Sequence, residues 1–389
     1  MTLPSIYYFL YYAAVACLMP FLALFYQAQG MTGSQIGVLS AISPVISFLG
    51  APLWTGTADV THRHKAAAIL AGLGTVTVVM IMPGIASFVG LIVAISLYAF
   101  FVSPIGPLAD SAVMALLDER KDQYGRVRLW GTLGYGVAAP IAGVLVGKLG
   151  LQWSFWCYAI LIMLGLFVIV QIPFRQSRSL GSFFGGMRTL FANQAWMLFL
   201  VMVFIGGVGM ATVNNYLFLY MESLGASKTL MGLSLTVSTM SEIPAMFFGN
   251  RFLRRFGARG LLIIAMAAIS LRLLLYSITT VPWVVLVIQL IHGLTFAAIF
   301  LAGVSYADQI APAGMKATTQ GMFSGTLMGF GSATGGLLGG ILMDRFDPSG
   351  MYAIVGGIVF AGLIAFLLVE RRLLAKSRQG KEEGSSETV

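Results

Sequence analysis

The sequence predicts an all-α integral membrane protein whose twelve transmembrane helices form two pseudo-symmetric six-helix bundles. Three observations predict it. The 389 residues are 58% hydrophobic and 10% charged, with a mean hydropathy of +0.89, whereas soluble domains carry about 25% charged residues. The apolar runs are apolar on every face, so they read as helices and not as barrel strands alternating with period two. Short glycine-bearing segments also recur half a chain apart.

A crossing takes about 20 apolar residues, and the runs assign spans to 5–27, 34–57, 66–84, 88–115, 128–148, 152–171, 195–221, 229–250, 260–279, 283–306, 319–342 and 351–369. No Lys or Arg precedes the first run and no small-residue cleavage site follows it, so an uncleaved first helix is expected. The fourth span carries Pro104 and Pro107 in "SPIGPLADS", which loosen it just before Asp110. The fifth (Gly131, Gly134, Gly136, Gly143, Gly147) and the eleventh (Gly329, Gly331, Gly335, Gly336, Gly339, Gly340) are glycine-rich and permit close helix approach, whether for static packing or for sliding. Cys17 and Cys157 both fall inside spans, so no disulfide framework is expected.

These runs divide the chain into an N-terminal bundle (1–172), a polar linker with a short interfacial helix (173–194), a C-terminal bundle (195–370) and a tail (371–389) whose composition reads as disordered. With the N-terminus inside, nineteen of the 23 Lys and Arg residues lie on one side of the membrane. That asymmetry places both termini in the cytoplasm, and the expected location is a bacterial-type cytoplasmic (inner) membrane. The net charge of +9 thus orients helices and gives no reason to expect nucleic-acid binding.

The repeat has a constant offset. "GMTGSQIG" (30–37) and "GASKTLMG" (225–232) open the second and eighth spans, 195 residues apart, and "GTLGYG" (131–136) matches "GTLMGFG" (325–331) at 194 to 195. Matches six helices apart relate segments of one orientation, the arrangement of parallel repeats about an axis along the membrane normal.

Five ionisable residues stand away from the loops: Asp110, Arg128, Glu242, Arg272 and His292. Intramembrane charges normally face a cavity or one another. At 1.5 Å per residue, Glu242 lies about 13 Å, His292 about 17 Å and Arg272 about 20 Å from the cytoplasmic boundary, so Arg272 is expected to meet Glu242 with His292 beside them. Asp110 and Arg128 flank the loop "DERKDQ" (118–123) symmetrically, so a helical hairpin brings them to one level as a second pair. Such pairs equally serve to fix helix register. Asp59 and Asp308, at cytoplasmic helix ends, suit capping or gating contacts.

These residues resemble the major facilitator superfamily, in the branch of lactose permease-type symporters and phenylpropionate permease-like proteins. "YGRVRLWGTLGY" (124–135) resembles a fifth-helix motif whose second arginine, here Arg128, binds substrate, with Asp110 at the spacing of its partner acid. "TMSEIPAMFF" (239–248), "ISLRLLL" (269–275) and "LIHGLTF" (290–296) resemble three successive helices that supply a glutamate, an arginine and a histidine. "GTADVTHRHK" (56–65) is a degenerate form of the superfamily's signature loop that keeps Asp59. Thr295 stands where lactose permeases carry the carboxylate tied to the coupling proton, Ala245 where an asparagine follows the glutamate, Asn214 for a buried aspartate and Tyr135 for a stacking tryptophan. Those departures weaken sugar recognition, and the "SPIGPLAD" and "HGLTF" segments lie closer to the phenylpropionate permease-like branch, which implies an aromatic acid.

The expectation is a monomeric secondary transporter, working by alternating access without cofactor or metal, that couples a small-molecule substrate to protons. Glu242, His292 and Arg272 would handle the proton, and Asp110, Arg128, Tyr135 and Thr295 the substrate. The tyrosines of "YYFLYY" (Tyr7, Tyr8, Tyr11, Tyr12) suit ring contacts or interfacial anchoring. Sugar or nucleoside symport, uncoupled facilitation and a non-transporting membrane sensor are the alternatives. An enzyme is disfavoured, because no HExxH or GxSxG appears and the intramembrane acids Asp110 and Glu242 form no pair within one turn.

Overall fold

Backbone polar groups in a bilayer must be satisfied within their own segment, and the chain obeys this with helices: no strand occurs among the described residues. The computed structural model describes residues 2–117, 123–172, 190, 192–312 and 315–386. The first three spans are Thr2–Ala28, Gly33–Thr61 and His64–Ile81, the third closed by a 3-10 turn at Met82–Gly84. The fourth is broken into Phe88–Val102 and Ile105–Leu117 at Ser103 and Pro104, where the prolines predict loosening. The fifth to ninth are Tyr124–Leu149, Gln152–Ile169, Gln194–Ser223, Lys228–Phe247 and Gly249–Ile278. The tenth is composite: Val284–Gln289, a π-helical turn at Gly293–Ala297, and Ala298–Ile310. The eleventh runs through Lys316–Ser324 and the π-helical Gly325–Gly331 into Ser332–Ser386, which Asp347 (φ 60) divides into its last part and the twelfth span.

Ten of these segments are long and apolar enough to cross a membrane, and one of the ten, Thr318–Val369, contains two spans. Lys228–Phe247, made more polar by Lys228 and Glu242, completes the twelve among the described residues. The last helix extends to Ser386. The ninth helix begins at Gly249, and Gly257 (φ 66) sets its first eight residues apart as a separate basic segment. The "DERKDQ" loop up to Asp122 and most of the 173–194 linker lie outside the described residues. Cys17 and Cys157 are both free thiols.

The half-chain repeat is a repeat of turns. Gly30 and Gly225 both adopt φ 78, a left-handed conformation that glycine enters at no steric cost. Their N–H groups donate to Gln27 O and Glu222 O, each at 2.9 Å. Thr32 and Ser227 then cap the second and eighth spans by accepting from the N–H groups of Gln35 and Leu230. The second repeated motif differs by one residue: "GTLGYG" continues a regular helix, whereas the seven-residue "GTLMGFG" is the π-helical stretch. A π turn is how an α-helix absorbs one extra residue.

In the first half the first span packs on the fifth and sixth, the second on the fourth, and the third on the fourth and sixth. In the second half the long Ser332–Ser386 helix packs on the seventh and ninth spans, and the ninth on the tenth. The halves meet mainly where the second span touches the eleventh and the fifth touches the eighth. The seams begin at the end away from the termini, at Gly33 with Gly340 and Gly143 with Lys228, and run inward to Phe48 with Gly325 and Gly136 with Thr239, whereas the fourth and tenth spans pack mainly within their own halves.

Candidate functional site

Between the halves lies a cavity of about 610 Å3 lined by both. Its charged wall residues are Arg128 from the fifth span, Glu242 from the eighth and Arg272 from the ninth, and a collar of Ser40, Ser43, Asn214, Asn215, Ser238 and Thr239 surrounds them. Glycine closes its far end. A Cβ on Gly33 would sit 2.7 Å from Gly340 O and one on Gly37 3.0 Å from Gly336 O, so no larger residue permits this approach of the second and eleventh spans. On the other seam Gly232 lies against Ala139 O and Gly143 against Lys228 O, and Thr236 Oγ1 donates to Gly136 O at 2.7 Å.

The first seam also carries a charge. Asp344 accepts from Gly33 N at 2.5 Å through Oδ1, and from Ser34 N at 2.7 Å and Ser34 Oγ at 2.5 Å through Oδ2. These are first-turn donors that a helix cannot satisfy internally, and a carboxylate also complements the positive end of the helix dipole. The second half therefore caps a helix of the first. These contacts hold the two halves together at the end of the cavity away from the termini.

Tyr8 and Tyr12, one helical turn apart, build the first charged station. The Tyr8 hydroxyl donates to Asp110, and Arg128 donates to the Tyr12 hydroxyl. The Arg128 guanidinium also lies 4.1 Å from the Tyr12 ring centroid and 5.4 Å from that of Tyr8, within cation–π range. The expected Asp110–Arg128 ion pair is not formed. The hairpin brings the two to one level as the spacing predicts, but Tyr8 stands between them and serves each with a different part of its side chain. Asp110 consequently stays off the cavity wall, while Arg128, half-buried, is on it.

The second station is more enclosed. Arg272 is 4% exposed; its Nε donates to Tyr276 Oη at 3.1 Å, one terminal nitrogen to His292 Nδ1 at 3.0 Å, and the other to Gln289 Oε1. Tyr276 Oη also donates to Gln289 Oε1 at 3.1 Å. Arginine only donates, so His292 Nδ1 accepts and its ring proton sits on Nε2. Phe296 stacks on that ring at 6.0 Å and 7°. The expected Arg272–Glu242 pair is absent: neutral acceptors on the ninth and tenth spans engage all three nitrogens of the guanidinium. Glu242 lies instead in the field of Arg128 and beside Tyr135, both of the opposite half. Helical rise gives the depth of a residue correctly but not its face, and depth alone underlay that pairing.

Other expected residues divide similarly. Tyr135 and Asn214 line the cavity. Thr295 does not: it is buried in the π-helical turn, its hydroxyl donating to His292 O at 2.8 Å. Asp59 pairs with His64 at 2.6 Å and Asp308 with Lys316 at 2.7 Å, each inside its own half, so neither bridges the halves in this conformation. Tyr7 stacks on Tyr11 at 6.3 Å, and of these two Tyr11 reaches the cavity. Sequence reading missed Gln289 and Tyr276. Both were signalled, as polar residues one turn from His292 and Arg272. Gln289 is 1% exposed on the cavity wall and its Nε2 has no hydrogen-bond partner among the described residues.

Comparison with known proteins adds kinship. The MFS_1 like family model matches residues 2–354. The chain is 26% identical over 374 residues to the maltose permease of Geobacillus stearothermophilus, covering 95% of each. It is 26% identical over 312 residues to the probable 3-phenylpropionic acid transporter of Escherichia coli (strain K12), covering 77% of this chain and 80% of that one. Among solved structures, the nucleoside transporter NupG superposes with a TM-score of 0.84 at 18% identity, over 94% of this chain and 98% of that one. The last likeness is one of fold.

Proposed function

The chain belongs to the MFS_1 like family, and from that premise we propose that this multi-pass secondary transporter of the major facilitator type is a proton symporter for a small organic anion. An aromatic carboxylate of the phenylpropionate kind is the favoured substrate. Both termini lie in the cytoplasm in this reading, the distribution of Lys and Arg orienting the chain in the inner membrane, so that the cavity faces inward. The protein works as a monomer.

One observation carries the reading: two permanent cations, Arg128 and Arg272, face a single carboxyl, Glu242, across one cavity. Each nitrogen of Arg272 already has a neutral partner, whereas Arg128 donates to one tyrosine hydroxyl and keeps the greater capacity for a bidentate carboxylate. Tyr11, Tyr12 and Tyr135 offer ring faces beside it. Loading a monoanion on Arg128 together with a proton on Glu242 leaves the charge of the cavity unchanged, so each makes the other less costly to take into a low-dielectric site. Rocking of the halves about the glycine seams then exposes the loaded site to the other side.

The test uses proteoliposomes with an acid exterior and a lumenal pH dye. Wild-type protein takes up phenylpropionate and acidifies the lumen. Glu242→Gln loses acid-driven accumulation but retains solute counterflow; accumulation that survives this change refutes the proton assignment. The serine and asparagine collar favours a second reading, a neutral hydroxylated solute such as a sugar or nucleoside. A thermal-shift comparison of phenylpropionate, maltose and uridine separates the two, because only a cognate ligand raises the melting temperature at modest concentration.

A further inference from the structure

We propose that the lipid-facing side of the C-terminal half holds an anionic phospholipid, with its phosphate on Arg251, Arg254 and Arg255 and an acyl chain in the apolar cleft beside them. The cleft lies among the eighth, ninth and tenth spans, away from the transport cavity, and measures about 150 Å3. Phe252, Phe256, Leu261, Leu294, Ala298 and Leu301 form its sides, and no polar side chain lines it. It opens laterally, since Leu294 and Phe256 are 46% and 44% exposed.

The cations are set at its mouth by the chain itself. Gly257, with φ 66, ends the segment Gly249–Phe256, so this basic stretch is a short element of its own at the membrane boundary. Phe252 and Phe256 are one turn apart and turn into the cleft, and Arg251 and Arg255 flank them with the same spacing. Arg251, Arg254 and Arg255 are exposed, and none of the three makes a hydrogen bond or ion pair among the described residues. Arg255 lies 5.5 Å from the Phe256 ring, which holds it over the entrance. Unpaired guanidinium forks at a bilayer surface match phosphate oxygens, and polybasic segments there attract anionic headgroups. An occupant that satisfies both parts needs an anionic phosphate joined to a hydrocarbon chain, which is the composition of an anionic phospholipid.

Position gives the lipid a route to the transport site. Ala245 and Gly293 form the floor of the cleft, three residues from Glu242 and next to His292. Gly293 also packs against Ser241 O of the eighth span, too close to admit a Cβ. A chain seated in the cleft supports that contact from behind.

Native mass spectrometry of the full-length protein, exposed to an equal mixture of dioleoyl phosphatidylglycerol and dioleoyl phosphatidylcholine, tests this. Wild-type protein retains phosphatidylglycerol over phosphatidylcholine by about fivefold or more, and R251Q/R254Q/R255Q brings the ratio near parity. R63Q/K65Q, which removes cations from the first half, keeps the preference. Glycerol 3-phosphate, a phosphate anion without acyl chains, fails to displace the lipid. Equal retention of the two lipids by wild-type protein, an unchanged preference in the triple variant, or displacement by glycerol 3-phosphate overturns the proposal. The wild-type comparison decides even if the triple variant does not fold.

Discussion

Arg128 and Arg272 both interrupt apolar spans and both reach the same cavity, yet they are held in opposite ways. Arg272 is buried at 4% exposure with an acceptor on each branch of its guanidinium. Arg128 is half-buried, bonded to one tyrosine hydroxyl and lying on aromatic faces that leave hydrogen-bonding capacity unused. An intramembrane charge therefore does not declare its role by its presence. The number of donors already spent tells a fixed cation from one available to a ligand.

Four measurements break or sharpen that contrast. Arg128→Ala should lower uptake by about 100-fold, or about 2.7 kcal/mol, with the melting temperature almost unchanged; a large loss of stability instead would make Arg128 a structural cation. Gln289→Leu should act the other way: it strips an acceptor from a buried guanidinium and should destabilise the protein by roughly 1–3 kcal/mol, read from thermal unfolding. Tyr12→Phe removes one hydrogen bond to Arg128 but keeps the ring, and substrate half-saturation should rise about tenfold at unchanged maximal rate. Asp344→Asn keeps the shape of the far seam but loses its charge. Alkylation of a cysteine placed at Ser40, applied from the side away from the termini, should rise about threefold as that seam opens more often.

Much of this was legible in the sequence. Hydropathy located the spans, Pro104 the break in the fourth, and the recurring Gly30 and Gly225 turns the internal repeat. All three are local, written in the residues that adopt them. The charged stations were legible only in depth. Rise per residue puts Glu242, Arg272 and His292 at one level, but which faces meet depends on how each helix is rotated about its axis, and partners from distant spans set that rotation. Thus Tyr8 separates Asp110 from Arg128, and Tyr276 and Gln289 take the place expected for Glu242. Gln289 was passed over because an uncharged amide in "VVLVIQLIHG" lacks the cost that makes an arginine conspicuous, although its buried Nε2 asks for a partner just as firmly.

The π-helical stretch at Gly325–Gly331 bears on how far the two halves still copy one another. A surplus residue in an ordinary helix would swing everything after it by about 100°, carrying Gly336 and Gly340 off the face that meets the second span. One swollen turn takes up the surplus near Met328, so the downstream glycines keep their bearing toward Gly33 and Gly37. The duplicated motif has thus lost its exact length without losing its alignment. The eleventh helix can absorb a change in length upstream of the seam, while the seam itself, with backbone against backbone, leaves no room for a single added methyl group.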